Sequence, residues 1–211
     1  MKNDKAISQS VINRLPRYYR FLNRLLDSGV TRISSAELSK MMMVTASQIR
    51  QDLNCFGGFG QQGYGYNVEA LRREIGDILG INDISTAILI GAGNLGKAVA
   101  NRHDLLRKGF KLIGAFDSSS SVIGTTLAGI KVEDVKTLED FCIKEKPVMA
   151  IVCVPASAAE NIGKTLNRCG IKGIWNFSSY DFTHEFTNMK IVNVHLSDSI
   201  MTLSYMLKHD D

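Results

Sequence analysis

The sequence predicts an α/β chain in two parts: a small helical domain closed by a glycine-rich hairpin, then a doubly wound parallel sheet. Three observations predict it. Two helix-start signatures stand in tandem between residues 34 and 54, and glycines and aromatics alternate over 56–66. From residue 84, buried strands alternate with helices, and the first strand runs into a glycine-rich turn. The boundaries read from these patterns are 1–80, 81–194 and a terminal helix over 195–211.

The totals set outer limits. A length of 211 residues accommodates one large domain or two modest ones, and 45% hydrophobic with 22% charged residues is ordinary globular content. No apolar run approaches the roughly 20 residues of a membrane helix, and the opening MKNDKAISQS lacks the apolar stretch of a signal peptide. A cytoplasmic protein with no membrane partner is therefore expected.

Cys55, Cys142, Cys153 and Cys169 form no C-x-x-C pair and have no histidine at zinc-finger spacing. Inert thiols are expected, with no metal site. Cys153 reads as core, and Cys55 is the one thiol open to a redox role.

Charge is uneven along the chain. Residues 1–50 hold nine Lys+Arg against three Asp+Glu, whereas residues 81–211 hold 14 of each. That asymmetry suits an end that meets a polyanion, although a solvated basic face gives the same count.

Taken in order, Ile7, Val11, Ile12, Leu15, Tyr18, Tyr19, Leu22, Leu25 and Leu26 recur at helical spacing, predicting a long amphipathic helix that ends near Ser28-Gly29. Pro16 is a candidate kink, and Arg14, Arg17, Arg20 and Arg24 read as a solvated face. Ser34 followed by Glu37, and Thr45 followed by Gln48, are capping-box signatures that start helices over 35–42 and up to about Asn54. Two short capped helices behind a longer one make a helix-turn-helix.

The run Phe56–Tyr66 places five glycines among aromatics, which predicts a tight hairpin. Behind a recognition helix such a hairpin is a wing. This arrangement presents Ser47, Gln48, Arg50 and Gln51 to the major groove, while the wing, with Gln62 and Tyr64, lies along the backbone or minor groove. Met41, Met42 and Met43 suit an adaptable surface, and core packing claims one or two of them.

Further on, Ala87-Ile88-Leu89-Ile90 runs into Gly91-Ala92-Gly93-Asn94-Leu95-Gly96, which opens a helix expected to reach Lys108. Strand, G-x-G-x-x-G and helix in that order are the context of a dinucleotide-binding Rossmann turn, whose glycines let backbone approach a pyrophosphate. Asp117, followed by Ser118, ends the next strand 21 positions beyond Gly96. That is near the ~20-residue offset of a ribose-binding carboxylate, which repels a 2′-phosphate and favours NAD(H). A turn-capping aspartate is the alternative.

Strands over 148–154 and 173–177 flank a helix near 158–169. Val154-Pro155 and Asn176 then stand at the carboxyl edge of the sheet, where a ligand lies, or serve as turn and core residues. In the tail, Leu196, Ile200, Leu203 and Leu207 share one helical stripe, suited to packing on the chain's own sheet or to a homodimer that spans two half-sites.

Taken together, SSAEL, VTASQIRQDL, FGGFGQQGYGY, ILGI, GAGNLG, AFD, the later Val-Pro pair and GIKGIWNF resemble the Rex family of NADH-responsive repressors over essentially the whole length. The resemblance implies a homodimer with swapped terminal helices that binds double-stranded palindromic operator DNA when NADH is low and releases it when NADH binds. It implies pyrophosphate contacts from Gly91, Gly93, Asn94, Leu95 and Gly96, ribose binding by Asp117, and a nicotinamide border of Val154, Pro155 and Asn176. Ser47, Gln48 and Arg50 would read or grip DNA.

Against the family pattern, Gln51 and Gln62 stand where a lysine and an arginine are usual. Each loss removes one phosphate contact and roughly 0.9 from the salt slope. Arg102 and His195 replace a tyrosine and an aspartate of the switch, in which Arg20 and Leu196 are also candidates; a histidine there would bring pH sensitivity, and the alternative is a partly exposed histidine ahead of the tail helix.

Two rivals remain at this point. A nicotinamide-dependent dehydrogenase shares the fold, but residues 81–211 leave no room for a substrate domain, and His103, His184, His195 and His209 lie in no proton-relay motif. The other is an NAD(H)- or CoA-binding regulator with weakened or lost DNA binding.

Overall fold

The computed structural model describes residues 7–57, 60–61, 64–102 and 109–209, with backbone only at 60 and 61. The chain divides into two compact units, Met1–Asp83 and Ile84–Asp211. Gln62, His103 and the expected helix extension to Lys108 lie outside the described residues.

The first unit opens with α1 (Gln9–Asp27), which buries Val11, Leu15, Tyr18, Leu22 and Leu25 on one stripe. Pro16 lies inside this helix. The helix closes at Gly29, where the Gly29 N–H donates to the Leu26 carbonyl and the Val30 N–H to that of Leu25. Next come β1 (Arg32–Ile33), α2 (Ser35–Met42) and α3 (Ala46–Asn54). Ser34 caps α2 through both halves of a capping box: its Oγ accepts from the Glu37 N–H at 3.1 Å, and its own N–H donates to the Glu37 carboxylate at 2.8 Å.

Thr45 caps α3 by accepting from the Gln48 N–H at 3.1 Å, but the reciprocal half is not made. The Gln48 amide reaches forward to Asp52 instead. Strands β2 (Gly60–Gln61) and β3 (Gly65–Asn67) form the antiparallel hairpin, and β1 pairs with β3 in a sheet of order β1-β3-β2. Finally, α4 (Val68–Ile78) packs on α1, and Val68, Leu71 and Ile75 join the same core as Leu15, Tyr18 and Ile49.

Among the three methionines only Met42 is core, fully buried, whereas Met43 is 88% exposed in the α2–α3 turn with φ of 53°. A left-handed backbone strains a residue with a Cβ, and Met43 has no packing to lose. Met43→Gly is therefore expected to stabilise the unit by up to about 1 kcal/mol, read as a higher urea midpoint at unchanged slope.

In the second unit, β4 (Ser85–Ile90), α5 (Asn94–Ala100), β5 (Phe110–Asp117), β6 (Thr126–Leu127), β7 (Ile130–Asp134), α6 (Leu138–Glu145), β8 (Met149–Val152), α7 (Ala156–Arg168), β9 (Gly173–Asn176), β10 (Lys190–Asn193) and α8 (Leu196–Lys208) follow one another. The sheet order is β10-β9-β8-β4-β5-β7-β6, parallel except for β6 against β7.

Ile88 and Ile90 pack with α6 and α7 residues such as Leu138 and Leu166 on one face. Leu89 packs with Val99 and Ala100 of α5 on the other. Because the near-continuous apolar strand β4 is covered on both faces, it lies at the centre of the sheet. The first crossover leads to β5 on one side, and β8 pairs with β4 on the other. The carboxyl end of β4 is thus the point where strand order reverses, and ligands of open α/β sheets bind there.

Helix α8 buries none of its residues: Leu196, Ile200, Leu203 and Leu207 are all exposed. Among the described residues no helix is long and apolar enough to cross a membrane.

Candidate functional site

In the first unit the candidate residues lie on α3 and at the hairpin. Ser47, Arg50 and Gln51 are exposed along α3, and Tyr64 is 71% exposed at the hairpin. The Arg50 guanidinium donates to Ser35 Oγ at 3.0 Å, tying the exposed side of α3 to the start of α2. Burial pushes the Tyr66 phenol up, and the charge of Arg50 pulls it partly back. Arg32 donates to the Tyr64 carbonyl at 3.0 Å and lies over its ring at 5.9 Å.

Gln48, also expected to face DNA, has a partner inside the unit. It is half-buried and donates to Asp52 at 2.8 Å. Asp52 is fully buried, and Arg14 grips it with two N–H groups at 2.6 and 2.7 Å while the Tyr18 hydroxyl donates at 2.9 Å. Burial alone would raise the Asp52 carboxyl. Donation from Arg14, Gln48 and Tyr18 outweighs that, and holds it below its ordinary value.

Arg14 was grouped with a solvated arginine face, and the structure corrects this: it ties α1 to α3. Arg17 and Arg24 flank the Phe21 ring at 5.9 and 5.5 Å, and Arg20 is exposed. Asp52, absent from the candidates above, has a signal in the sequence, since Ile49, Asp52 and Leu53 share the buried i, i+3, i+4 stripe.

In the second unit a cleft of about 410 Å³ opens at the carboxyl ends of β4, β5 and β8. It brings together Gly91, Gly93, Asn94, Leu95, Asp117, Ser118, Val154 and Pro155, all singled out from sequence. Each fingerprint glycine meets a different constraint. Gly91 has φ of 92°, and a Cβ there would lie 2.5 Å from the Cys153 carbonyl oxygen. A Cβ on Gly96 would overlap the Gly91 carbonyl, which fixes the close packing of α5 on β4. A Cβ on Gly93 would meet nothing within 4 Å. Space is thus left open in front of Gly93, where a ligand's backbone-hugging group would stand.

Ala92 is buried, and its N–H donates to Asp117 Oδ2 at 2.7 Å, while Asp117 Oδ1 accepts from the Ser119 N–H at 2.8 Å. The carboxylate therefore braces the glycine turn, and its remaining lone pairs stay available for ribose hydroxyls.

Asn176, expected either to border the ligand or to serve as a turn and core residue, has the second setting. It is fully buried, donating to the Tyr180 carbonyl at 2.7 Å and Asn193 Oδ1 at 2.9 Å, and accepting from the N–H and hydroxyl of Ser178. All its hydrogen-bonding capacity staples β9 to β10 and the following turn. Cys153, expected in the core, lines the cleft, and burial pushes its thiol up to about 11. Cys55 is exposed, and all four cysteines are free. Arg102, His195 and Leu196 are exposed, with His195 at the N-cap of α8 and making no side-chain cap bond.

Comparison with known proteins agrees with this division. A family model described as "Putative DNA-binding protein N-terminus" matches residues 6–54, and a CoA binding domain model matches residues 82–180. The redox-sensing transcriptional repressor Rex of Clostridium perfringens (strain SM101 / Type A) is 49% identical over 212 residues, covering 100% of this chain and 99% of the relative. Its counterpart from Thermoanaerobacter sp. (strain X514) is 48% identical, covering 100% of this chain and 94% of the relative.

Among solved structures, RSP in complex with β-NAD⁺ and operator DNA matches at TM-score 0.91 and 49% identity, covering 98% of this chain and 95% of that one. RSP in complex with β-NADH matches at TM-score 0.89 and 46% identity, covering 98% and 97%.

Proposed function

The chain belongs to the Rex family of redox-sensing transcriptional repressors, and on that premise we propose that it binds a palindromic operator when NADH is low and leaves it when NADH fills the cleft beside Gly93. The relatives are repressors rather than enzymes, and the dehydrogenase reading is set aside. The observation that carries the proposal is the pairing, in one chain, of an exposed recognition face with a cleft whose three glycines divide the labour of a dinucleotide turn. RSP, nearly half identical, is known with both NAD⁺ and NADH, which favours a dinucleotide over CoA. A repressor works where the chromosome lies, hence in the cytoplasm.

On DNA, Ser47, Arg50 and Gln51 of α3 face the major groove, and Tyr64 belongs to the wing. Gln48 and Asn176 act instead from inside, the first by orienting Asp52 beneath α3, the second by fixing the sheet edge. In the cleft, Gly91, Gly93, Asn94, Leu95 and Gly96 shape the floor for the pyrophosphate. Asp117, with Ser118 beside it, takes the ribose and repels a 2′-phosphate, and Val154 and Pro155 close the nicotinamide end. The dinucleotide supplies a ring that carries a positive charge when oxidised and none when reduced.

Release requires NADH to prefer the conformation that does not bind DNA. Shifting occupancy from 99:1 to 1:99 needs about 5.5 kcal/mol of such preference. Arg20, Arg102, His195 and Leu196 are the proposed switch residues. The exposed apolar stripe of α8, together with the apolar cleft of about 480 Å³ lined by Phe110, Val148, Ile151, Trp175 and Val192, supports a homodimer in which each copy covers the other. Accordingly, residues 195–211 are proposed as the dimerisation segment, after a DNA-binding part at 1–80 and a nucleotide part at 81–194.

The test is fluorescence anisotropy of a palindromic duplex that the protein itself selects from a random pool, at fixed salt, without nucleotide, with NAD⁺ and with NADH. Binding abolished by NADH alone is the expected result. NADH binding without selection of any duplex would leave a nucleotide sensor that has lost its DNA target.

A further inference from the structure

We infer that Arg32 and Tyr64 form a preassembled clamp for a DNA backbone phosphate at the base of the wing, with Arg32 supplying the charge and Tyr64 holding it in place. This rests on the DNA-binding reading above. Over residues 45–67, which span the recognition helix and the hairpin, Arg50 is the only lysine or arginine. The recognition helix has Gln51, and the hairpin Gln62, where the family resemblance leads one to expect cations. A duplex backbone is nonetheless gripped by positive charge, each neutralised phosphate releasing counterions. One arginine is a thin supply of charge, so cations from outside that stretch would add to the grip.

Among the exposed cations of the unit's described residues, Arg32 is the one tied to the hairpin. It is exposed on β1, outside the helix-turn-helix in sequence but joined to the wing in space, because β1 pairs with β3. Its Nη1 donates to the Tyr64 carbonyl at 3.0 Å and its guanidinium lies 5.9 Å from the centre of the Tyr64 ring. Among the described residues that carbonyl is the only hydrogen-bond partner shown for Arg32, which leaves the rest of the five-donor fork available.

The exposed recognition side is close by. Ser35, three positions after Arg32, accepts from Arg50 of α3 at 3.0 Å, so the two guanidinium groups flank one short junction. Tyr64, an aromatic 71% exposed, restrains Arg32 before binding and lowers the ordering entropy that the contact would otherwise incur. Arginine suits this place better than lysine, because its planar fork can stack on the ring and still present donors to a phosphate.

The experiment compares wild type, Arg32→Ala, Arg32→Lys and Tyr64→Leu on the self-selected duplex over a series of salt concentrations. Arg32→Ala should weaken binding about tenfold and lower the log–log salt slope by about 0.9. Arg32→Lys should keep the slope but bind more weakly, and Tyr64→Leu should weaken binding with little change in slope. Thermal unfolding of each variant is measured alongside. An Arg32→Ala protein with wild-type affinity and slope overturns the clamp, as does one that loses thermal stability at unchanged slope, since that marks a mere strand staple. Wild type that selects no duplex at all overturns the repressor reading, and the clamp with it.

Discussion

Asp52→Ala is expected to destabilise the N-terminal unit by roughly 3–5 kcal/mol, because it leaves the Arg14 guanidinium without its counter-charge beside a core that also holds the Tyr18 hydroxyl. Urea unfolding of the full chain, followed by circular dichroism, measures it. A loss below about 1 kcal/mol would show that water or another group replaces the carboxylate. The double replacement Arg14→Met with Asp52→Leu should recover part of the loss, since it removes the unpaired charge while the Tyr18 hydroxyl and the Gln48 amide still lack their acceptor. Repressor activity would follow stability in the single variant, because α3 is anchored to α1 through this carboxylate.

The same pair fixes the sign of a pH effect. Asp52 is held below its ordinary value of 3.8, so its contribution is complete above that value and is lost only as pH falls through the lower folded-state value. Stability arising from this network should be flat between pH 5 and 8 and decline in acid.

Gly93→Ala and Gly96→Ala are expected to separate ligand binding from folding. At Gly93 the added methyl meets nothing within 4 Å of protein, so thermal stability should stay near wild type. NADH affinity should fall tenfold or more, by about 1.4 kcal/mol at least, because the methyl occupies the path of the pyrophosphate. At Gly96 the methyl collides with the Gly91 carbonyl, so stability should fall by about 1–3 kcal/mol together with affinity. NADH fluorescence titration and thermal unfolding measure both quantities. Unchanged NADH affinity in Gly93→Ala would refute the placement of the pyrophosphate at this turn.

Features that depend on neighbours in the chain were legible in advance. The long helix ending at Ser28-Gly29, the Ser34–Glu37 capping box, the strand running into Gly91, and Asp117 at the end of β5 all follow from patterns a few residues long. Local hydrogen bonds, helical or alternating apolar spacing and the freedom of glycine act over those same few residues. The cleft was legible for the same reason, since eight of its lining positions lie at the ends of such elements or on the short turns that join them.

Other outcomes waited on partners distant in sequence. Arg14 and Asp52 are 38 positions apart, and only the folded unit, which brings α1 to the start of α3, turned a surface arginine into a part-buried cross-link and gave Gln48 an internal partner. Asn176 has the sequence setting of an edge residue, yet Asn193 on β10 and the turn at Ser178–Tyr180 take up its amide. Likewise Arg32 gains a role only when β1 lies beside β3 and carries it to Tyr64. The sequence by itself determined the elements, their order and the residues able to do the chemistry. Which polar groups face solvent and which bind one another was decided by tertiary structure alone, because a buried charge or amide is satisfied only by partners that folding brings to it.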